Sequence, residues 1–482
     1  MARFVVGSHS FRSFAVSFIS LLIASNAFAQ VTAVTGDQAP PIPGAGHDYI
    51  HLLSETVNPA TGSVSIRVGV PVPPGRGLAV PFFFGYDSND EHLFTPPPIK
   101  YPDNTSYLAQ GGWTYLMPHL NMIQQKNVDE YSTTPPEFST CYAYLDFLFT
   151  DLGGQFHSLG LSTAQQPGLA CVNNYKPQYL NGTDGLYQAI AGDGGQTQNP
   201  TPVTVADHDG TVYYFSNTYG SRVHLGVNSG WASIPDWIED RNGNKITISD
   251  NGGGAFAITD TLGRVALSSS GFGVTGNTLN ISGLSQPYNV TWGVSSSNWY
   301  YNAVVWNEGI NQCKIGSGTY QFSLPEITQI KLPNNQVYQF QYDSTSGLLN
   351  KVVYPSGGYV RYMWGTNSLS DTVDYYDDTQ TSGSPFCRDQ HDTQAVADRY
   401  VSFDGVREIL HQHFVYGTTW KVQNNWPTWT SKTATVTTYD LQRGTNFQTV
   451  YQYGPMSVVP QPNDPTSFGG GVMPVEQSVA YL

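Results

Sequence analysis

Residues 337–364 read VYQFQYDSTSGLLNKVVYPSGGYVRYMW. Side chains along a strand alternate between the two faces of a sheet, so Tyr338, Phe340 and Tyr342 fall on one face while Gln339 and Gln341 fall on the other. The spacing predicts a strand with one packed face and one wet face. Asp343 and Gly347 then bracket a turn, Leu349 and Val352 restart a strand, Pro355-Ser356-Gly357 turns again, and Tyr359 to Tyr362 runs back. Read this way, the segment is an antiparallel meander that hands the chain from one short strand to the next.

The rest of the sequence carries the same punctuation. Asp207-His208-Asp209-Gly210 precedes Thr211 to Phe215, Asp240-Arg241-Asn242-Gly243-Asn244 precedes Lys245 to Ile248, and Thr259 to Arg264 precedes Val265. Asp-Gly and Asn-Gly pairs reach positive φ easily and favour tight hairpins. Nearer the start, Ser63 to Val68 alternates, Pro71 to Gly77 breaks the chain, and Leu78 to Tyr86 resumes as a strand. From Phe94 to about Pro200 the pattern is irregular, with aromatic strands such as Cys141 to Phe147, and long loops are expected there. The best 3.6-residue period, around Val396 to Arg399, is short. The expected fold is all β: antiparallel, meandering sheets of short strands with few helices.

Composition agrees. Of 482 residues only 12% are charged and 13% are aromatic, with 49 Gly and 31 Pro, a turn-rich β profile rather than that of a bundle or a disordered chain. The net charge of -15, without a basic cluster, argues against nucleic acid as a partner. Arg3 and Arg12, the apolar run Phe14 to Ile23, and Ala27-Phe28-Ala29 form an export leader expected to be cut before Gln30. The apolar run is too short for a stable bilayer anchor, and no later stretch approaches a transmembrane span. The expected location is secreted or at the cell surface. The organisation that follows is a leader at 1–29, a flexible lead-in at 30–48, an N-terminal β region with long loops at 49–200, a repeat-like β region at 201–370 and a C-terminal β region at 371–482. Cys141, Cys171, Cys313 and Cys387 lie in the exported part, where disulfides persist. Three pairings are possible, and Cys141–Cys171 with Cys313–Cys387 close the shorter loops.

The residues Tyr342-Asp343, Gly347, Leu349, Val352, Pro355, Gly357 and Tyr362, with Trp364 where a further Tyr would fall, resemble the YD repeat of Rhs-family proteins. Weaker echoes occur at Asp209 to Phe215, Asp240 to Ile248 and Asp260 to Val265. The stretches Val57 to Ser63, Pro73 to Gly77 and Phe84 to Ser88 resemble the opening of secreted Rhs-like proteins. The resemblance implies an exported β-sheet shell or spiral, in some members enclosing a C-terminal toxin. A long run of repeats is missing, Gly365 replaces the Asp that would follow Trp364, and Asn463-Asp464-Pro465 is too little to mark a self-cleaving segment. The sequence is therefore expected to correspond to the N-terminal, pre-repeat part of such a protein.

Motifs with catalytic or ligand chemistry are sparse. His411-Gln412-His413 places two imidazoles on one strand face, where they could hold a transition metal if a third ligand converged; without one they read as solvent-facing strand residues. Asp240 to Asn244 resembles half a calcium loop, but its twelfth position is Asn251 rather than Glu, so a hairpin turn is expected. Asp374, Asp377 and Asp378 read as a solvated acidic loop. Trp420, Trp426 and Trp429 could stack on sugar rings, although Trp is ordinarily packed inside. The nucleophile-elbow, zinc-protease and phosphate-loop signatures are all absent from the sequence, so no catalytic residue and no cofactor is assigned. The leading expectation is a non-enzymatic exported scaffold or interaction module; the alternative is a secreted carbohydrate-binding or glycoside-active β-sandwich. Its partner would be an extracellular polysaccharide or another cell-surface protein.

Overall fold

The computed structural model describes residues 54–88, 112–133, 136–151, 156–159, 161–165, 181–183, 185–191, 202–216, 232–301, 303–307, 318–375, 387–423, 426–457 and 472–482. The expected leader and lead-in lie outside these residues. Among the described residues, no helix is long and apolar enough to cross a membrane. The fold is all β.

Among the described residues, the strands form three antiparallel sheets. The first joins Glu55–Val57, Val64–Gly69, Phe83–Asp87 and Trp113–Leu116 in chain order. Alternation drives its packing: Val64, Ile66 and Val68 are buried, while Ser65 and Arg67 between them are partly exposed. The second is built on a hairpin of two long strands, His119–Thr133 and Pro136–Thr150, with Ala232–Ser233, Phe156–Ser158 and Ser162–Gln165 alongside. Part of the region expected to be loops is therefore sheet, because the polar and aromatic residues of Pro136–Thr150 lie in register with His119–Thr133 from end to end.

The third sheet is a long meander from Asn181–Thr183 to Val472–Tyr481. Nearly every strand pairs with its neighbour in sequence; Ala303–Asn307 instead lies against Cys387–Ser402. Its corners repeat one geometry. At Asp207, Asp240, Asp260, Leu332 and Tyr354, the residue three places on donates its N–H to the corner carbonyl, and the corner N–H bonds the carbonyl four places on. That closure requires a left-handed residue at the fourth position, which Gly210, Gly243, Gly263, Asn335 and Gly357 supply with φ between 68° and 90°. At the first three corners the Asp Oδ1 also accepts the N–H groups two and four residues ahead. The Asp-x-x-Gly spacing visible in the sequence is the chemical cause of the corner.

The apparent helical period near Val396 is a strand carrying a bulge. Met363 pairs with Asp398 and Trp364 with Val396, so Ala397 is the extra residue in Cys387–Ser402. Alternation slips there, giving neighbouring Ala395 and Val396 buried and then Arg399 and Val401 buried.

One core serves the first sheet and the meander together. Trp113 meets Phe340 edge to face with ring centroids 4.7 Å apart, and Tyr115 packs against Phe256 and Phe272 at 5.5 and 4.5 Å. Aromatic pairs of this kind add roughly 0.5–1.5 kcal/mol beyond their burial. Polar ties cross the same boundary. Tyr86 Oη accepts the Leu349 N–H at 3.0 Å, and Val396 N–H donates to the Gly62 carbonyl at 2.9 Å. Tyr115 Oη donates to the Gly271 carbonyl at 2.8 Å, and burial pushes its phenol up to about 12.

Candidate functional site

The repeat residues are placed as builders. Phe340 is buried, Tyr338 and Tyr342 pack against the core beside it, and Gln339 and Gln341 are exposed. Tyr342 Oη accepts from Trp113 Nε1 at 2.8 Å and donates to the Ile327 carbonyl at 2.5 Å. Asp343 Oδ1 accepts the Thr345 and Ser346 N–H groups at 2.9 and 2.7 Å, and the Ser346 hydroxyl at 3.1 Å. Gly347 closes this turn with φ 80° and donates its N–H to the Asp343 carbonyl. Leu349, Val352 and Tyr362 are buried, and Pro355 and Gly357 form the next corner.

A second turn of this type was overlooked in the sequence. Tyr439-Asp440-Leu441-Gln442-Arg443-Gly444 has the same Tyr-Asp-x-x-x-Gly spacing. Asp440 Oδ1 accepts the Gln442 and Arg443 N–H groups, and Gly444, with φ 69°, donates to the Asp440 carbonyl. The two tyrosines differ in surroundings: Tyr342 anchors to the first sheet, whereas Tyr439 joins a stack on the other face of the meander.

That stack crosses four strands. Arg361, Tyr400, His411 and Tyr439 are successive register partners. The Arg361 guanidinium lies 3.7 Å over the Tyr400 ring, Tyr400 and His411 are parallel within 2° at 4.3 Å, and His411 and Tyr439 follow at 5.1 Å. Glu408 grips Arg361 from the side and accepts the Tyr359 hydroxyl. The hydrogen bond from Arg361, with help from its charge, holds the Glu408 carboxyl below its ordinary range although burial opposes it.

The third group that His411 and His413 lacked in sequence is Asp398. It stands opposite His413 in register, and its Oδ1 meets His411 Nε2 at 2.7 Å and His413 Nδ1 at 2.9 Å. Burial raises the Asp398 carboxyl, but the two imidazole hydrogen bonds and their charges outweigh it, and the group sits below the usual carboxylate range. The side chains are reachable from solvent: His411 is 22% exposed, His413 46% and Asp398 19%. One residue along, the strand turns Arg399 inward. There its guanidinium donates to Glu55 and, at 2.6 Å, to Gln412 Oε1, while the Tyr354 hydroxyl donates to Glu55 Oε2 at 3.0 Å. Both charged side chains are fully buried.

The remaining sequence candidates resolve individually. Asp240 is the hairpin corner described above. Trp429 is buried and Trp420 donates to the Leu369 carbonyl; the Trp426 side chain lies outside the described residues. Asp377 and Asp378, and the proposed disulfide partners Cys171 and Cys313, also lie outside them, as do the side chains of Asp374, Cys141 and Cys387.

No known protein family matches the sequence, and no curated protein does. Solved structures similar to the chain come from Tc toxins. In the crystal structure of TcdB2-TccC3-TEV the similarity covers 88% of this chain and 17% of that chain, at 8% identity and a TM-score of 0.21. For TcdB2-TccC3 the values are 91%, 20%, 10% and 0.24, and for a Photorhabdus luminescens Tc holotoxin pore 86%, 16%, 10% and 0.21. The chain thus spans no more than a fifth of the length of these similar proteins. At such TM-scores the similarity carries no argument about topology or activity.

Proposed function

We propose that this chain is an exported, non-enzymatic β-scaffold of the Rhs or YD-repeat type, a surface interaction module or the front part of a larger shell. The observation that supports this reading is the use made of the signature residues. Asp343 and Asp440 both direct their carboxylates onto their own turn amides, and Tyr342 is held between Trp113 and Ile327. A catalytic carboxylate has to face substrate; these two face the backbone. The partner is another cell-surface protein or an extracellular polysaccharide. Disulfides Cys141–Cys171 and Cys313–Cys387 belong to the same proposal and are tested by a non-reducing peptide map.

The main experiment joins export to architecture. Intact-mass analysis of material released by the producing cell should give a chain starting at Gln30, and trypsin should leave the first sheet and the meander together as one resistant block. A released product that keeps Met1, or early separation of residues 54–116 from the rest, would overturn the reading.

A further inference from the structure

We propose that Asp398, His411 and His413 form a binding site for a divalent transition-metal ion of the zinc class. Two imidazole nitrogens and one carboxylate oxygen converge within 4.8 Å of one another, and both nitrogens aim at the same oxygen. Around a shared zinc ion each ligand atom sits about 2.0–2.2 Å from the metal, which places neighbouring ligand atoms roughly 3–3.5 Å apart. Each nitrogen, now 2.7 or 2.9 Å from Asp398 Oδ1, therefore has to draw back from that oxygen by roughly half an ångström to admit the ion. The donor set selects the ion: imidazole suits zinc, copper and nickel, whereas calcium and magnesium seek oxygen ligands.

The sheet prearranges the site. His411 and His413 lie two residues apart on one strand and so share a face, and Asp398 lies across from His413 on the paired strand. Stacking between Tyr400 and Tyr439 fixes the His411 ring plane. Without metal, each imidazole nitrogen facing Asp398 donates its proton to the carboxylate, which only accepts. On binding, His411 Nε2 and His413 Nδ1 offer lone pairs instead, and the proton moves to the other nitrogen of each ring. No bond to carbon forms or breaks. With His413 46% exposed, the remaining coordination positions open to water or to a donor from a partner. The site stands independently of the scaffold reading.

The test uses the untagged, full secreted chain, stripped with EDTA and titrated calorimetrically with Zn(II) and, separately, Ca(II); Co(II) absorption reports the ligand field. The expected result is a Zn(II) site with nitrogen-ligand Co(II) bands. In His413→Ala and Asp398→Asn its affinity should fall by more than the roughly 10–100-fold that loss of an outer-shell partner costs. Both variants should still unfold cooperatively in EDTA, with at most a modest loss of midpoint from the missing Asp398–imidazole hydrogen bonds, and His413→Gln replaces His413→Ala should the latter not fold. Zinc affinity unchanged in both variants, Ca(II) bound as tightly as Zn(II), or no Co(II) band sensitive to His413 would each overturn the proposal.

Discussion

Replacing Glu55 by Gln should be among the most damaging conservative changes in the protein. Glu55 and Arg399 are each fully buried, so the substitution leaves a guanidinium in the core without its counter-ion. Breaking one side of such a pair costs about 3–5 kcal/mol, because the remaining charge keeps its desolvation penalty. Arg399→Met should cost a similar amount through the stranded carboxylate. Among the described residues Arg399 Nε has no hydrogen-bond partner, so the pair only incompletely repays its own desolvation. The double variant Glu55→Leu/Arg399→Met removes both charges. It leaves the Tyr354 hydroxyl and Gln412 Oε1 short of these partners, at roughly 1–3 kcal/mol. The double variant should therefore be more stable than either single one. Urea unfolding followed by tryptophan fluorescence, with the slope checked for constancy, measures all three. If the two single costs simply add in the double variant, the ion pair does not hold the first strand to the meander, and the reasoning fails.

Three further outcomes follow from the same physics. Tyr342→Phe should cost about 1–3 kcal/mol by orphaning Trp113 Nε1 and the Ile327 carbonyl; Asp343→Ala should cost about 1 kcal/mol through the turn, and a reversed order in chemical denaturation would contradict the builder role. Gly405 has φ 75°, and a Cβ there would meet the Gly357 carbonyl oxygen at 2.4 Å, whereas a Cβ at Gly263, φ 74°, meets nothing within 4 Å. Gly405→Ala should accordingly lower the melting temperature more than Gly263→Ala, and equal losses would show that this contact relaxes freely. Burial lowers His391 to about 4, with Asp371 opposing and Lys432 reinforcing the shift. The unfolded imidazole binds its proton near 6.5, so stability should fall as pH drops from about 6.5 towards 4, by on the order of 3 kcal/mol for this group; His391→Gln should flatten that part of the stability–pH curve, and an unchanged slope would refute the assignment.

The wall was legible in the sequence, and the site only in part. Period-two runs such as Val337 to Tyr342 and the Asp-x-x-Gly corners act within a few residues, so their geometry is written locally. The turn at Tyr439-Asp440 was equally local; its spacing to Gly444 was there to be matched with that of Asp343 to Gly347. Asp398 was not legible, because its place beside His411 and His413 depends on the register in which Cys387–Ser402 pairs with Leu410–Gln423, and that pairing is not written in the residues of either strand alone. Nor could Glu55 be matched to Arg399, since a lone acid near the start of the chain has 21 cations to choose among.

The tie between Glu55 and Arg399 spans 344 positions, and those from Tyr86 to Leu349 and Trp113 to Tyr342 span 263 and 229. Closing a 344-residue loop costs about 3 kcal/mol more in chain entropy than closing a hairpin of about 15 residues, and nothing is returned until the far end arrives. The segment made first is therefore completed last. Until Arg399 has been synthesised Glu55 lacks its counter-ion, so the first strand cannot be latched to the meander even where earlier contacts, such as Tyr115 with Phe256, have formed. High contact order of this kind slows folding. On the export route proposed above, that delay would keep the first strand unlatched until Arg399 has followed it.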